Sequence, residues 1–278
     1  MTSNSDDFET FDGLRLYARR SEPPEREPRA LVAVVHGYAE HSGRYQGLVE
    51  RLLSAGYGVG QFDLRGHGRS QGLRGYVRSF EDYVRDLERF FARERERDAR
   101  RPIFVLGHSL GGLIAASWAV DRPAQAAGLI LSGAALKIDE RIHPWLQRLS
   151  GLIGCVAPRL PTIHLDEQAL SRDAEVVRKF RADPLVFHGR MPARTGAEIV
   201  RASEQICGRL SRLALPALFM HGTADRLADP EGSRQAYERA ASADKTLKLY
   251  SGLYHEIFNE PERTQVIDDV VEWLAART

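Results

Sequence analysis

Ser109, Asp225 and His255 are the residues whose types could together perform nucleophilic catalysis. A serine hydroxyl attacks a carbonyl only when a base takes its proton and a carboxylate holds that base in one tautomer. Ser109 stands in Gly107-His108-Ser109-Leu110-Gly111, between the apolar run Ile103 to Leu106 and the apolar helical run Leu113 to Val120. A Gly-x-Ser-x-Gly turn between a buried strand and a helix lifts its serine above the sheet edge, and small residues two before and two after it avoid collision with both elements. The same turn sets the Leu110 backbone N–H at a helix start, where a developing oxyanion is stabilised. The pentapeptide alone is also common as an ordinary loop or helix start, so the strand and helix around it carry the functional reading.

With such a turn the chain order is Ser, then Asp or Glu, then His. His143, His164, His188, His221 and His255 follow Ser109. The first three fall in a segment without strands, and His221 ends a strand, whereas His255 occupies a loop after the final strand and can reach the serine. The others take surface or packing roles. Asp225 follows the penultimate strand by three residues, which puts it in a loop at the same sheet edge; its rival Asp229 precedes Pro230 and reads better as a helix N-cap. The loop His36-Gly37-Tyr38 ends the first core strand, and the Tyr38 backbone N–H is the candidate second oxyanion donor.

The elements that must position these residues alternate between strand and helix. Phe8 to Phe11 and Leu14 to Ala18 read as a hairpin about Asp12-Gly13, and Arg20 to Arg29, with three prolines, as a solvated connection. Strands are expected at Leu31 to Val35, Tyr57 to Asp63, Ile103 to Leu106, Gly128 to Ser132, Pro216 to Gly222 and Thr246 to Tyr250. Helices are expected at Tyr45 to Ser54, at Phe80 to Arg97 with Phe80, Tyr83, Val84, Leu87, Phe90 and Phe91 on one face, at Pro230 to Ala241 and at Glu262 to Ala276. This is an α/β chain with a mostly parallel sheet and helices on both faces. From 133 to 213 no apolar strand run appears, so the division is a core of 1–132 and 214–278 with an inserted helical cap, 133–213. Ile142, Trp145, Leu146, Leu149, Leu152, Ile153 and Val156 form an apolar stripe in that cap, read both as packing on the core and as a lid face over an acyl tunnel, touching a lipid surface.

Composition narrows the partners. The 278 residues carry 39 basic and 38 acidic side chains, a net charge of +1, which gives no reason to expect nucleic acid. Arg93 to Arg101 is interleaved with glutamates and reads as a solvated helix end. Cys155 and Cys207 lack metal-ligand spacing and read as free thiols of a reducing compartment. The polar, acidic start resembles no signal peptide, and no apolar run of about 18 residues could span a membrane. The expectation is a cytoplasmic protein with peripheral membrane contact through the stripe Ile142 to Val156. No metal or organic cofactor is called for, and nothing fixes an oligomeric state.

His36-Gly-Tyr-Ala-Glu-His-Ser-Gly-Arg-Tyr45, Phe62-Asp-Leu-Arg-Gly-His-Gly-Arg-Ser70, Gly107-His-Ser-Leu-Gly-Gly112, Ser171-Arg172 with Asp183-Pro-Leu185, His221-Gly-Thr-Ala-Asp-Arg-Leu227 and Tyr254-His-Glu-Ile-Phe-Asn-Glu-Pro261 together resemble the monoacylglycerol lipase branch of the α/β-hydrolase fold, its bacterial members in particular. The resemblance runs over nearly the whole chain. It implies Ser109 as nucleophile, Asp225 and His255 as its partners, the Tyr38 and Leu110 amides as oxyanion hole, and Glu40, Arg44 and His108 as receivers of the glycerol hydroxyls. Leu110 stands where animal members have Met, and Phe180 where they have a Tyr that contacts glycerol.

The expected activity is hydrolysis of a monoacylglycerol, or a similar lipid ester, to fatty acid and alcohol through an acyl-enzyme. The alternatives are a broad carboxylesterase or lysophospholipase, since the triad is indifferent to the alcohol, and, remotely, a non-catalytic ligand-binding module of the same fold.

Overall fold

The computed structural model describes residues 2–24, 27–122, 125–137 and 153–278. Its centre is an eight-stranded sheet in the order β1-β2-β4-β3-β5-β6-β7-β8. The strands are β1 (Thr2–Glu9), β2 (Arg15–Glu22), β3 (Leu31–Val35), β4 (Gly58–Phe62), β5 (Ile103–His108), β6 (Gly128–Ser132), β7 (Ala217–Gly222) and β8 (Lys245–Tyr250). The strands from β3 onward run parallel, and β1 and β2 add an antiparallel hairpin at one edge. Every residue of β3, β4, β5, β6 and β7 is buried, which is why, apart from Gln61 and the polar ends His108, Ser132 and His221, their sequences read as small or apolar runs instead of alternating.

The hairpin is longer than its apolar residues suggest. β1 begins at Thr2, and β2 continues to Glu22 through what reads as the start of a connection. Polar residues are tolerated there because ion pairs receive them: Asp6 meets Arg93 and Arg97, and Arg20 meets Glu94. The turn is also wider than Asp12-Gly13. It closes where Thr10 N–H donates to Leu14 O (2.9 Å) and Thr10 Oγ1 donates to Asp12 Oδ1 (2.6 Å).

Helices cover both faces, each burying an apolar stripe. α2 (Phe80–Arg97) and α3 (Leu110–Asp121) pack on one face, where Leu87, Phe90, Leu113, Trp118 and Phe219 share a core. α1 (Gln46–Ser54), together with the C-terminal helix of the chain, Arg263–Ala275, closes the other over Leu48, Phe104, Met220, Val266 and Trp273. The stripe expected on α2 is buried throughout. α3 is apolar all round because it is enclosed on nearly every side.

Between β6 and β7 the described residues hold no strand, only an isolated bridge between Pro161 and Pro192. They form α4 (Ala174–Ala182) and α5 (Ala193–Cys207), with short 3₁₀ turns beside them. Ile199, Ala202 and Ile206 of α5 join the core beneath α3. Of the stripe from Ile142 to Val156, all but residues 153–156 lie outside the described residues. α6 (Pro230–Arg239) and α7 (Arg263–Ala275, the C-terminal helix) complete the chain, and among the described residues no helix is long and apolar enough to cross a membrane.

Parallel strands bring the loops after β3, β5, β7 and β8 to one edge. The tightest joint there is the turn from β5 to α3, where a Cβ on Gly107 would stand 2.4 Å from Gly111 O and one on Gly111 would stand 2.1 Å from Val35 O. Gly111→Ala is expected to destabilise the protein by about 3 kcal/mol or more, read as a lower urea midpoint at unchanged slope.

Candidate active site

Ser109 occupies the turn with φ 52° and ψ −117°, a conformation costing a non-glycine residue about 1–3 kcal/mol. The neighbours over-determine it. Its N–H donates to Ser132 O (3.0 Å), and its carbonyl accepts from the N–H groups of Leu113 and Ala135 (both 3.1 Å). Leu110 is the first residue of α3, so its N–H has no carbonyl of the helix to reach. His108 donates from Nδ1 to Ser132 O (3.0 Å), and its ring lies 4.7 Å from that of His255. Burial, then the nearness of His255, pushes the His108 pKa down to about 3.

Asp225 and His255 come together as the sequence suggests, from the loops after β7 and β8. His255 Nδ1 donates to Asp225 Oδ2 at 2.7 Å. The carboxylate is wholly buried and receives three further donors: Leu227 N–H (2.8 Å) and Ala228 N–H (3.0 Å) on Oδ1, and His221 Nε2 (3.0 Å) on Oδ2. Burial raises the Asp225 pKa, but the His255 charge and the bonds from His221 and His255 outweigh it, so the group lies well below the carboxylate range. Burial lowers the His255 pKa; Asp225 reverses that, and the net shift is upward. His221 is the residue sequence reasoning left as packing. Ser233 Oγ donates to its Nδ1 at 2.7 Å, which fixes the tautomer that donates to Asp225. The signal was its place four residues before Asp225. Asp229 caps α6, accepting from Glu231 N–H at 2.9 Å.

The loop after β3 lies against the serine: a Cβ on Gly37 would stand 3.2 Å from Ser109 Cβ. Glu40 organises this loop, accepting at Oε1 from Gly37 N–H and Tyr45 Oη, both at 2.6 Å. Ala39 adopts φ 68°, and its carbonyl accepts from Phe187 N–H at 2.8 Å. Glu40 and His108 line the cavity, whereas Arg44 stands behind its wall. Arg44 Nη2 donates to both carboxylate oxygens of Glu256 (2.7 and 2.6 Å), Nε reaches Glu40 Oε2 at 3.3 Å, and the guanidinium lies 4.7 Å from the Phe180 ring centroid. It ties the residue after His255 to the loop carrying Tyr38.

Ser109 and His255 open on a cavity of about 600 Å³. Leu165, Leu170, Met191, Ile199 and Leu227 give it an apolar wall, most of it from the segment between β6 and β7. The pair Asp225–His255 and a serine on a strained turn facing the same space are the parts that acyl transfer by an activated serine requires.

Loops from the carboxyl ends of parallel strands that converge on a serine elbow are the way α/β-hydrolases build their sites, and the chain has that fold. A family model described as serine aminopeptidase, S33, matches residues 26–262. The monoacylglycerol lipase of Mycolicibacterium smegmatis is 40% identical over 91% of this chain and 90% of its own length. The monoglyceride lipase of Homo sapiens is 35% identical over 96% and 89%. The crystal structure of the Paleococcus ferrophilus monoacylglycerol lipase superposes with a TM-score of 0.85 at 34% identity, covering 95% of this chain and 99% of that one. The chain belongs to the monoacylglycerol lipase family.

Arg44→Met removes the cation that pairs with both Glu40 and Glu256 and keeps much of the apolar stem. It is expected to cost about 3–5 kcal/mol, measured by urea unfolding. A residue that only held substrate would instead raise KM at unchanged stability.

Proposed function

We propose that the protein hydrolyses monoacylglycerols to fatty acid and glycerol, with Ser109 as nucleophile, His255 as general base and acid, Asp225 as its orienting carboxylate, and the Tyr38 and Leu110 N–H groups as oxyanion hole. The observation that carries this reading is the 2.7 Å bond from His255 to Asp225 at the wall of the apolar cavity that Ser109 also faces. The relatives named above support the substrate class. With Nδ1–H committed to Asp225, His255 presents the Nε2 lone pair to Ser109 and takes its proton as Oγ attacks the ester carbonyl. The oxyanion forms against the two backbone N–H groups. The tetrahedral species collapses as His255 returns the proton to the departing glycerol oxygen, and water repeats the sequence on the acyl-enzyme.

Residues 133–213 serve as the cap, whose Leu165, Leu170 and Met191 side chains receive the acyl chain. Glu40 and His108 mark the polar end, where the glycerol sits. Val156, Leu160 and Ile163 are exposed at 79%, 48% and 56%, which supports peripheral contact of the cap with a lipid surface. Cys155 and Cys207 are free thiols, in keeping with the cytoplasm.

Fatty acid release from mono-, di- and triolein tests the reading: release from monoolein alone is expected, reduced about 10⁴- to 10⁶-fold in Ser109→Ala. Equal release from all three would make the enzyme a general lipase, and release only from short p-nitrophenyl esters or lysophosphatidylcholine would move it to the esterase or lysophospholipase class.

The pH profile gives a second test. His255 works as a base only when neutral, so kcat/KM falls as pH drops through its pKa, displaced upward from 6.5. In Asp225→Asn the chief raising influence is gone, so this acid limb is expected to move to lower pH while kcat drops on the order of 10⁴-fold.

A further inference from the structure

We propose that His36 is the positioning residue of the oxyanion hole, gripping from behind the peptide unit whose N–H faces the developing charge. The inference rests on the reading of Ser109 as nucleophile and Tyr38 N–H as oxyanion donor. Tyr38 N–H and the Gly37 carbonyl belong to one peptide unit, and no peptide bond among the described residues is cis, so the two groups point in opposite directions. His36 Nδ1 lies 2.7 Å from Gly37 O, and His36 Nε2 accepts the N–H of Leu64 at 2.8 Å. A carbonyl only accepts and an amide N–H only donates, so both bonds together fix the ring as the neutral tautomer with its proton on Nδ1. The ring is wholly buried, and burial lowers its pKa against the opposing influence of Asp63 and Glu40.

The grip is needed because of what it holds. A rotation of the Gly37–Tyr38 peptide would withdraw the N–H and turn the carbonyl dipole towards the oxyanion. Glycine at 37 offers no Cβ to resist that rotation. Glu40 holds the N–H of Gly37, which belongs to the preceding peptide unit; the carbonyl of the donor unit itself is held by His36. Leu64, in the loop after β4, locks the tautomer, so two loops set the direction of one N–H.

Two substitutions separate the two bonds. His36→Gln can keep an acceptor at the ε position for Leu64 but has no donor at the δ position, whereas His36→Asn supplies the δ donor and loses the ε acceptor. On p-nitrophenyl butyrate, His36→Gln is expected to lower kcat about 10- to 100-fold, with KM within about twofold of wild type; outright removal of an oxyanion donor costs about 10²–10³. His36→Asn is expected to recover about tenfold of that kcat while melting at the same or a lower temperature than His36→Gln. Equal kcat losses in the two variants, an undiminished kcat in His36→Gln, or losses that track melting temperature would overturn the proposal. Nitrogen-15 NMR of the wild type adds a measurement independent of variant folding: a His36 protonated on Nε2 would also overturn it. Cleavage of the butyrate but not of monoolein by wild type would remove the monoacylglycerol reading and leave this one standing, and esterase activity that survives in Ser109→Ala would remove both.

Discussion

Buried negative charge is the constraint around which the active edge of this molecule is folded. Glu40, Asp63, Glu256 and Glu260 are each 5% exposed or less, and the Asp225 side chain is fully buried, in the loops that follow β3, β4, β7 and β8. An ionised carboxylate removed from water costs several kcal/mol unless donors replace its hydration. Each of these loops therefore closes around its own acid. Glu40 takes Gly37 N–H and Tyr45 Oη; Asp63 takes Ser42 N–H (2.9 Å), Ser42 Oγ (2.6 Å) and Arg69 N–H (2.8 Å); Asp225 takes four donors. Loops that would otherwise sample many conformations are held to one, and the reacting groups ride on them.

The same charges couple the loops to each other and to the segment above them. Asp63 reaches Ser42 across two loops, and Arg44 joins Glu40 to Glu256. The segment between β6 and β7 is tied on both sides of Ser109. On one side His41 Nε2 meets Asp183 Oδ2 (2.8 Å) and Phe187 N–H meets Ala39 O; on the other, Glu256 N–H donates to Leu170 O (2.8 Å) and Arg172 pairs with Glu260. Of these, the Arg44 pairs with Glu40 and Glu256 are buried on both sides and so costly to break singly, because each break strands a charge. The position of the apolar wall is thus set by the polar loops beneath it.

This division between apolar runs and polar pairs also explains what could be read from the sequence. β3, β5, β6 and β7 announce themselves because a strand covered on both faces has to be apolar throughout, and α2 because its buried stripe recurs at helical spacing. The elbow is legible because only glycine fits beside Val35 O and Gly111 O. Arg44 could not be placed in the same way. Its partner Glu256 lies 212 residues on, and no local pattern encodes such a pair. His221 was hidden for a related reason, since a histidine at a strand end looks the same whether it packs or donates. The start of β2 as a strand was visible, but its continuation to Glu22 depends on Arg20 finding Glu94 across the sheet edge.

The arrangement around Asp225 shows why the number of its donors matters. Burial by itself would push the pKa of this carboxylate upward. The His255 charge and the bonds from His221 and His255 reverse that push, and the N–H groups of Leu227 and Ala228 give Oδ1 two further donors. His221 then shares Oδ2 with His255, which limits how strongly that oxygen holds the His255 proton. Asp225 is thereby held as an anion, and in the proposed mechanism His255, its pKa raised by this partner, is the group that exchanges a proton. An aspartate with a fully buried side chain and two backbone and two imidazole donors can do this because its loop closes on it from β7 while His255 arrives from β8, so the geometry of the sheet edge and the direction of the proposed proton transfer have one origin.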